Sequence, residues 1–163
     1  MKTMKRSTLL SGLFGAAVLA PTLGAAAFAA LPGRVTHTDD EWKQMLSPEA
    51  YDVLRHEGTE RAFSSPLDEE KHAGIYQCAG CYLPAYSSTT KYDSGTGWPS
   101  FWKPLPNAIS TKSDTSYMEE RTEVHCVRCE SHLGHVFNDG PKPTGLRYCM
   151  NGVALKFVPG RTA

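Results

Sequence analysis

The chain has 163 residues with 17 basic and 17 acidic side chains, no net charge, and a 40% hydrophobic content. That length builds one domain with a substantial core and does not need disulfides to hold it together. The balanced charge excludes a nucleic-acid binder of the usual basic kind, and ordinary apolar and charged fractions exclude wholesale disorder.

The first element reads as a signal peptide over residues 1–29. Lys2, Lys5 and Arg6 precede an uncharged stretch whose apolar centre, Leu9 to Ala20, is shorter than the ~20 residues that span a bilayer. Ala27-Phe28-Ala29 then supplies the small-x-small pattern of a cleavage site. An uncleaved anchor is the alternative reading. Lys5-Arg6 resembles a twin-arginine signal with Lys in the first position, so the export route stays open. Cleavage removes three basic residues and no acidic one, leaving residues 30–163 at net −3. The domain is expected to be exported, periplasmic or secreted, with no stable membrane association after cleavage.

Two short helices open that domain. Thr38 is placed to cap a first turn carrying Asp39, Asp40 and Glu41, acids that suit a helix N-terminus. Ser47-Pro48 marks a second start, running through Tyr51, Val53 and Leu54 and stopping near Gly58. Trp42, Met45, Leu46, Tyr51 and Leu54 are expected in the core. From about residue 73 short β-type runs follow, at 74–77, 82–86, 122–125, 135–137 and 153–158, divided by Gly, Pro, Ser, Asn and Asp clusters. No long helical pattern intervenes, so a parallel α/β sheet is excluded. The fold class is mainly β: antiparallel sheets with a helical N-terminal cover.

Cys78-Ala79-Gly80-Cys81 and Cys126-Val127-Arg128-Cys129 are two C-x-x-C turns. Together they offer a tetrahedral Cys₄ shell for one structural zinc ion, closed to substrate. Two disulfides are the alternative, which export would permit. A fifth cysteine, Cys149, stands in Arg147-Tyr148-Cys149-Met150-Asn151. A lone strand cysteine is commonly a small buried hydrophobe. However, Arg147 two residues away shares its strand face, and a cation there favours the reactive thiolate. His132 and His135 are free for acid–base work near neutrality if the four paired cysteines hold the metal alone. Trp98, on a turn set by Gly95 and Gly97, reads either as a core aromatic or as an indole that cradles a thioether.

These segments, with Gly95-Thr96-Gly97-Trp98-Pro99-Ser100-Phe101, Arg121-Thr122-Glu123-Val124 and His132-Leu133-Gly134-His135-Val136-Phe137, closely resemble the methionine-R-sulfoxide reductases, the MsrB family. The resemblance runs over about residues 38–158, with the motifs in family order. It implies two antiparallel sheets with N-terminal helices and a zinc-bearing member of the family. It also implies Cys149 as the nucleophile, Trp98 against the substrate methyl group and Phe137 as a further substrate-binding residue. His132 and His135 would surround the sulfoxide oxygen, and Asp139, Arg147 and Asn151 would complete the polar site. Many relatives carry a resolving cysteine where this chain has Thr96, so an external thiol such as a thioredoxin-like protein is expected to reduce the oxidised enzyme. Many also have Ser at the position of Gly152. The substrates implied are oxidised proteins or peptides carrying methionine-R-sulfoxide. Two other readings compete. A non-enzymatic zinc-ribbon module leaves Cys149 and the histidines without a role. A zinc deaminase needs a His-x-Glu element before Pro-Cys-x-x-Cys, and this sequence has neither.

Overall fold

The computed structural model describes residues 33–116, 120–160 and 162. The signal-peptide reading of residues 1–29 lies outside them. Among the described residues no helix is long and apolar enough to cross a membrane.

Helix α1 (Asp39–Met45) begins with a capping box: the Thr38 side chain accepts from the Glu41 amide while the Glu41 carboxylate accepts from the Thr38 amide. Helix α2 (Pro48–His56) starts at Ser47, whose hydroxyl accepts from the Ala50 amide, and ends one residue earlier than Gly58 suggests, with Glu57 in the left-handed region at φ 59°. Trp42 and Leu54 are in the core as expected, and Leu46 and Tyr51 pack against it in part. Met45 is not: it is 50% exposed. Helix α1 has only seven residues and buries Trp42 alone, so its last side chain is turned to solvent.

Strands β1 (Gly74–Cys78) and β2 (Pro84–Ser87) are followed by the two-residue strands β3 (Lys91–Tyr92) and β4 (Ser100–Phe101). Then come β5 (Ile109–Asp114), β6 (Arg121–Cys126), β7 (His132–Phe137), β8 (Arg147–Met150) and β9 (Leu155–Pro159). They form two antiparallel sheets, one of three strands in the order β2-β1-β9 and one of six in the order β3-β4-β8-β7-β6-β5. The mainly β expectation holds, with differences in detail beyond the unanticipated short strands β3 and β4. Tyr82 falls outside β2, in a turn at φ 60°, because it closes the first C-x-x-C loop. Residues 152–154 form a 3₁₀ turn before β9. Strand β5, Ile-Ser-Thr-Lys-Ser-Asp, carries no alternation that could reveal it; it is an exposed sheet edge, where polar residues and a lysine are suited.

The six-stranded sheet is two-faced. Val124, Cys126, Met150 and Phe101 point into the core, where Phe101 stacks on Tyr86 (centroids 4.4 Å apart) and meets Tyr76 edge-on at 4.9 Å. The Tyr86 hydroxyl donates to Met150 Sδ at 3.1 Å. The opposite face carries the polar row from which the candidate site is made.

Candidate active site

Strand register assembles this row without help from loops. Lys112 pairs with Glu123, Glu123 with His135, His135 with Cys149, Cys149 with Ser100 and Ser100 with Tyr92, one residue from each strand of the six. Directly opposed residues share a face, so Cys149 and His135 are neighbours by backbone pairing alone. One irregularity is essential. His132 and His135 are three apart, and strict alternation would send them to opposite faces. The pairing runs His125 to His132 and then Val124 to Gly134, skipping Leu133. This β-bulge returns His132 to the face of His135, and the two rings meet edge-on with centroids 5.3 Å apart.

A pocket of about 120 Å³ opens over the row, lined by Thr59, Trp98, Arg121, Gly134, His135, Phe137, Cys149 and Asn151. Of the residues expected from the sequence, it gathers Cys149, Trp98, His135, Phe137 and Asn151. Asp139 and Arg147 stand to one side. They form a bidentate pair at 2.7 and 2.8 Å, and the guanidinium stacks over the Phe137 ring at 4.4 Å. Arg147 thereby fixes a pocket wall, while with Asp139 it lines a separate cleft that also contains Thr96. His132 lies behind His135 and faces a third, charged cleft with Glu123 and Lys112.

Each histidine is oriented by a carboxylate, the half-buried Asp114 for His135 and the buried Glu123 for His132. His135 Nε2–H donates to Asp114 at 2.7 Å, and Asp114 also accepts from Arg121 at 2.6 Å. His132 Nδ1–H donates to Glu123 at 2.8 Å, while Lys112 pairs with the other Glu123 oxygen at 2.9 Å. A carboxylate only accepts, so the remaining nitrogen of each neutral ring is the basic one, and His132 Nε2 is buried without a partner. Burial pushes both histidines down, His132 to about 4 and His135 against the opposing pull of Asp114. Both shifts favour the neutral ring. Burial also pushes the Cys149 thiol up; Thr96, Arg147 and Ser100 pull it back without overcoming desolvation. The thiolate expected from Arg147 alone is thus offset by the closed setting.

The sequence reading missed several contributors. Glu60, 4% exposed, accepts from the Gly152 and Val153 amides at 2.6 and 2.9 Å, and its amide donates to Asn151 Oδ1 at 3.0 Å. Its carbonyl accepts from Trp98 Nε1 at 3.2 Å. One loop residue therefore positions two pocket side chains, and its neighbour Thr59 lines the wall. Arg121 and Glu123 stood in a noticed motif but had no assigned role; Asp114 lies on the unrecognised β5. Gly134 is also on the pocket lining, and it has to be glycine because a Cβ there would come within 2.1 Å of the Cys149 carbonyl. Gly152 also has a local reason: a Cβ would sit 1.8 Å from Ser65 Oγ, which occupies the space a serine side chain would need.

The other four cysteines form a second centre. The two C-x-x-C turns repeat one backbone design. The amide of the first cysteine donates to the carbonyl five residues on (Cys78 to Leu83, Cys126 to Ser131, both 2.9 Å). The residue after the second cysteine is left-handed in both, Tyr82 at φ 60° and Glu130 at φ 58°. The four sulfurs lie within 4.8 Å of one another, with 3.5 and 3.6 Å between sulfurs of opposite turns, and none is disulfide-bonded. A tetrahedron of sulfurs about 2.3 Å from a central ion has edges of roughly 3.8 Å, so the cluster fits a thiolate-bound metal.

The SelR domain family matches residues 46–159. The chain is 56% identical over 127 residues to a peptide methionine sulfoxide reductase MsrB of Pseudomonas syringae pv. syringae (strain B728a), covering 77% of this chain and 97% of that one. It is 54% identical over 124 residues to the protein of the same name from Methanosarcina barkeri, covering 76% and 87%. It is 52% identical over 124 residues to that of Leptospira interrogans, covering 76% and 95%.

Proposed function

The chain belongs to the SelR domain family, and from that premise and the pocket we infer that it is a peptide methionine-R-sulfoxide reductase with Cys149 as its nucleophile. The observation that carries the reading is the placing of Cys149 opposite His135 on one sheet row, beneath a pocket walled by Trp98, Phe137 and Arg121. Aromatic walls suit a thioether and its methyl group, while Arg121, Asn151 and His135 supply the polar side that a sulfoxide oxygen requires.

The neutral resting site shapes the chemistry. A sulfoxide sulfur is a poor electrophile until its oxygen accepts a proton or a strong hydrogen bond. The Cys149 thiol supplies that proton, relayed by the basic nitrogen of His135, as its sulfur attacks the substrate sulfur. The oxygen then moves to Cys149, the substrate S–O bond breaks, and methionine leaves. Thiol plus sulfoxide becomes sulfenic acid plus thioether, with atoms and electrons balanced. Asp114 keeps the His135 tautomer in which that nitrogen is free. His132, with Glu123, backs His135 from the neighbouring cleft.

The remaining functional assignments rest on the same premise. Cys78, Cys81, Cys126 and Cys129 hold one structural zinc ion, which joins the two turns and leaves no coordination position open. The sulfenic acid is reduced by an external thiol such as a thioredoxin-like protein: one thiol forms a mixed disulfide and releases water, and a second restores Cys149. Substrates are oxidised proteins or peptides, repaired outside the cytoplasm after export through residues 1–29. The test is a single-turnover assay on separated R and S epimers of a methionine sulfoxide peptide. Turnover confined to the R epimer is expected, and equal turnover of both would overturn the assignment.

A further inference from the structure

Beside Cys149 runs a chain of hydroxyl groups that the chemistry above does not use. Thr96 Oγ1 lies 3.9 Å from Cys149 Sγ, at the outer reach of a contact to sulfur, and 2.8 Å from Ser94 Oγ. Ser94 Oγ is 2.7 Å from Ser100 Oγ, and the buried Ser100 hydroxyl donates to the Trp98 carbonyl at 3.0 Å. A hydroxyl has one proton, so this last bond sets the direction of the whole chain. Ser100 spends its proton on Trp98. Ser94 must then donate to Ser100, and Thr96 to Ser94. That leaves the protonated thiol as the donor to Thr96.

Once the sulfur loses its proton it can only accept, and the Thr96 hydroxyl can answer without moving a heavy atom. Rotation about the Thr96 Cβ–Oγ1 bond takes its proton from Ser94 to the sulfur, while Ser94 keeps its own bond to Ser100. We infer that the Thr96 hydroxyl is a two-position partner of Cys149, accepting from the thiol and donating to the thiolate. The inference rests on the reading of Cys149 as nucleophile. It gives Thr96 a positive function, beyond its marking the absence of a resolving cysteine. Other charged or titratable groups face Cys149 from each neighbouring element: Arg147 on β8 with its partner Asp139, Tyr92 on β3, His135 on β7 with its partner Asp114, and Arg121 on β6. Two of the neighbours are also neutral hydroxyls: Ser100 acts on the thiol as well but has its proton on the Trp98 carbonyl, and Tyr92 faces the sulfur from β3.

The experiment follows alkylation of Cys149 by iodoacetamide as a function of pH, read by mass spectrometry of its peptide in metal-replete protein. A hydrogen bond to a charged group is worth about one to two pKa units, and a long contact to sulfur falls at the lower end. Thr96→Val, which keeps the shape and removes the hydroxyl, should shift the alkylation midpoint up by about one unit. At pH below the midpoint its rate should fall roughly tenfold. Thr96→Ser should restore the wild-type profile. A wild-type midpoint for Thr96→Val, or an equal defect in Thr96→Ser, would overturn the inference. Ser94→Ala gives an independent arm if Thr96→Val fails to fold: removing the competing acceptor should leave the midpoint at or below wild type, and a rise would contradict the proton chain. Alkylation needs no turnover, so these results stand apart from the assay of Cys149→Ser, whose retained activity would instead remove the nucleophile reading.

Discussion

Five cysteines in one small domain have two fates, and the difference lies in the backbone that carries them. The four in the C-x-x-C turns sit on two copies of one loop, brought sulfur to sulfur within 4.8 Å. Cys149 sits mid-strand, where its pairing partners are His135 and Ser100 and its sulfur meets the Thr96 hydroxyl. A thiol on a tight turn facing another such turn is a ligand. A thiol on a sheet face next to an imidazole and beneath an aromatic pocket is, under the proposed function, a reagent. The comparison also separates the two kinds of failure: damage at the turns should be a folding defect, and damage at Cys149 a chemical one.

The largest expected effect is on turnover. Cys149→Ser should abolish methionine sulfoxide reduction, by about a thousandfold or more, while thermal unfolding and metal content stay at wild-type values. Activity surviving in that variant would erase the distinction. Next is Cys126→Ser, expected to lose the metal and several kcal/mol of stability, since structural zinc contributes directly to folding. Metal analysis and denaturant unfolding check this, and a stable metal-free wild type with two disulfides would contradict it. A smaller effect concerns His132, 2% exposed, whose folded value of about 4 lies below the ordinary 6.5. The unfolded chain binds the extra proton first, so the penalty is absent above about pH 6.5 and grows as pH falls toward 4. It reaches roughly 3 kcal/mol. The stability of wild type relative to His132→Gln should decline across that window. Parallel curves for the two proteins would show that His132 accepts a proton without cost.

How much of this was legible in the sequence follows the range of the forces involved. The helix starts were legible because Thr38 and Ser47 cap their helices through bonds three residues away. The C-x-x-C turns and the Cys149 strand were legible as local spacings. Strand β5 was not, because only Ile109 among its six residues is apolar and an edge strand needs no buried face. Asp114 went unnoticed with it, although it orients His135. The bulge at Leu133 was equally hidden: nothing in His-Leu-Gly-His announces that one residue will be skipped, yet without it the two histidines would lie on opposite faces. Glu60 joins Trp98, Asn151 and Gly152 across more than thirty positions, a contact that no local pattern encodes.

The central claim is that Cys149 reacts alone while the other four thiols stay committed to the metal. The direct test is mass spectrometry of the wild-type protein after one turnover with methionine-R-sulfoxide and no reductant. The expected product carries one added oxygen on Cys149, with the other four cysteines unmodified. A protein lighter by two hydrogens, with Cys149 joined to Cys78, Cys81, Cys126 or Cys129, would contradict the account.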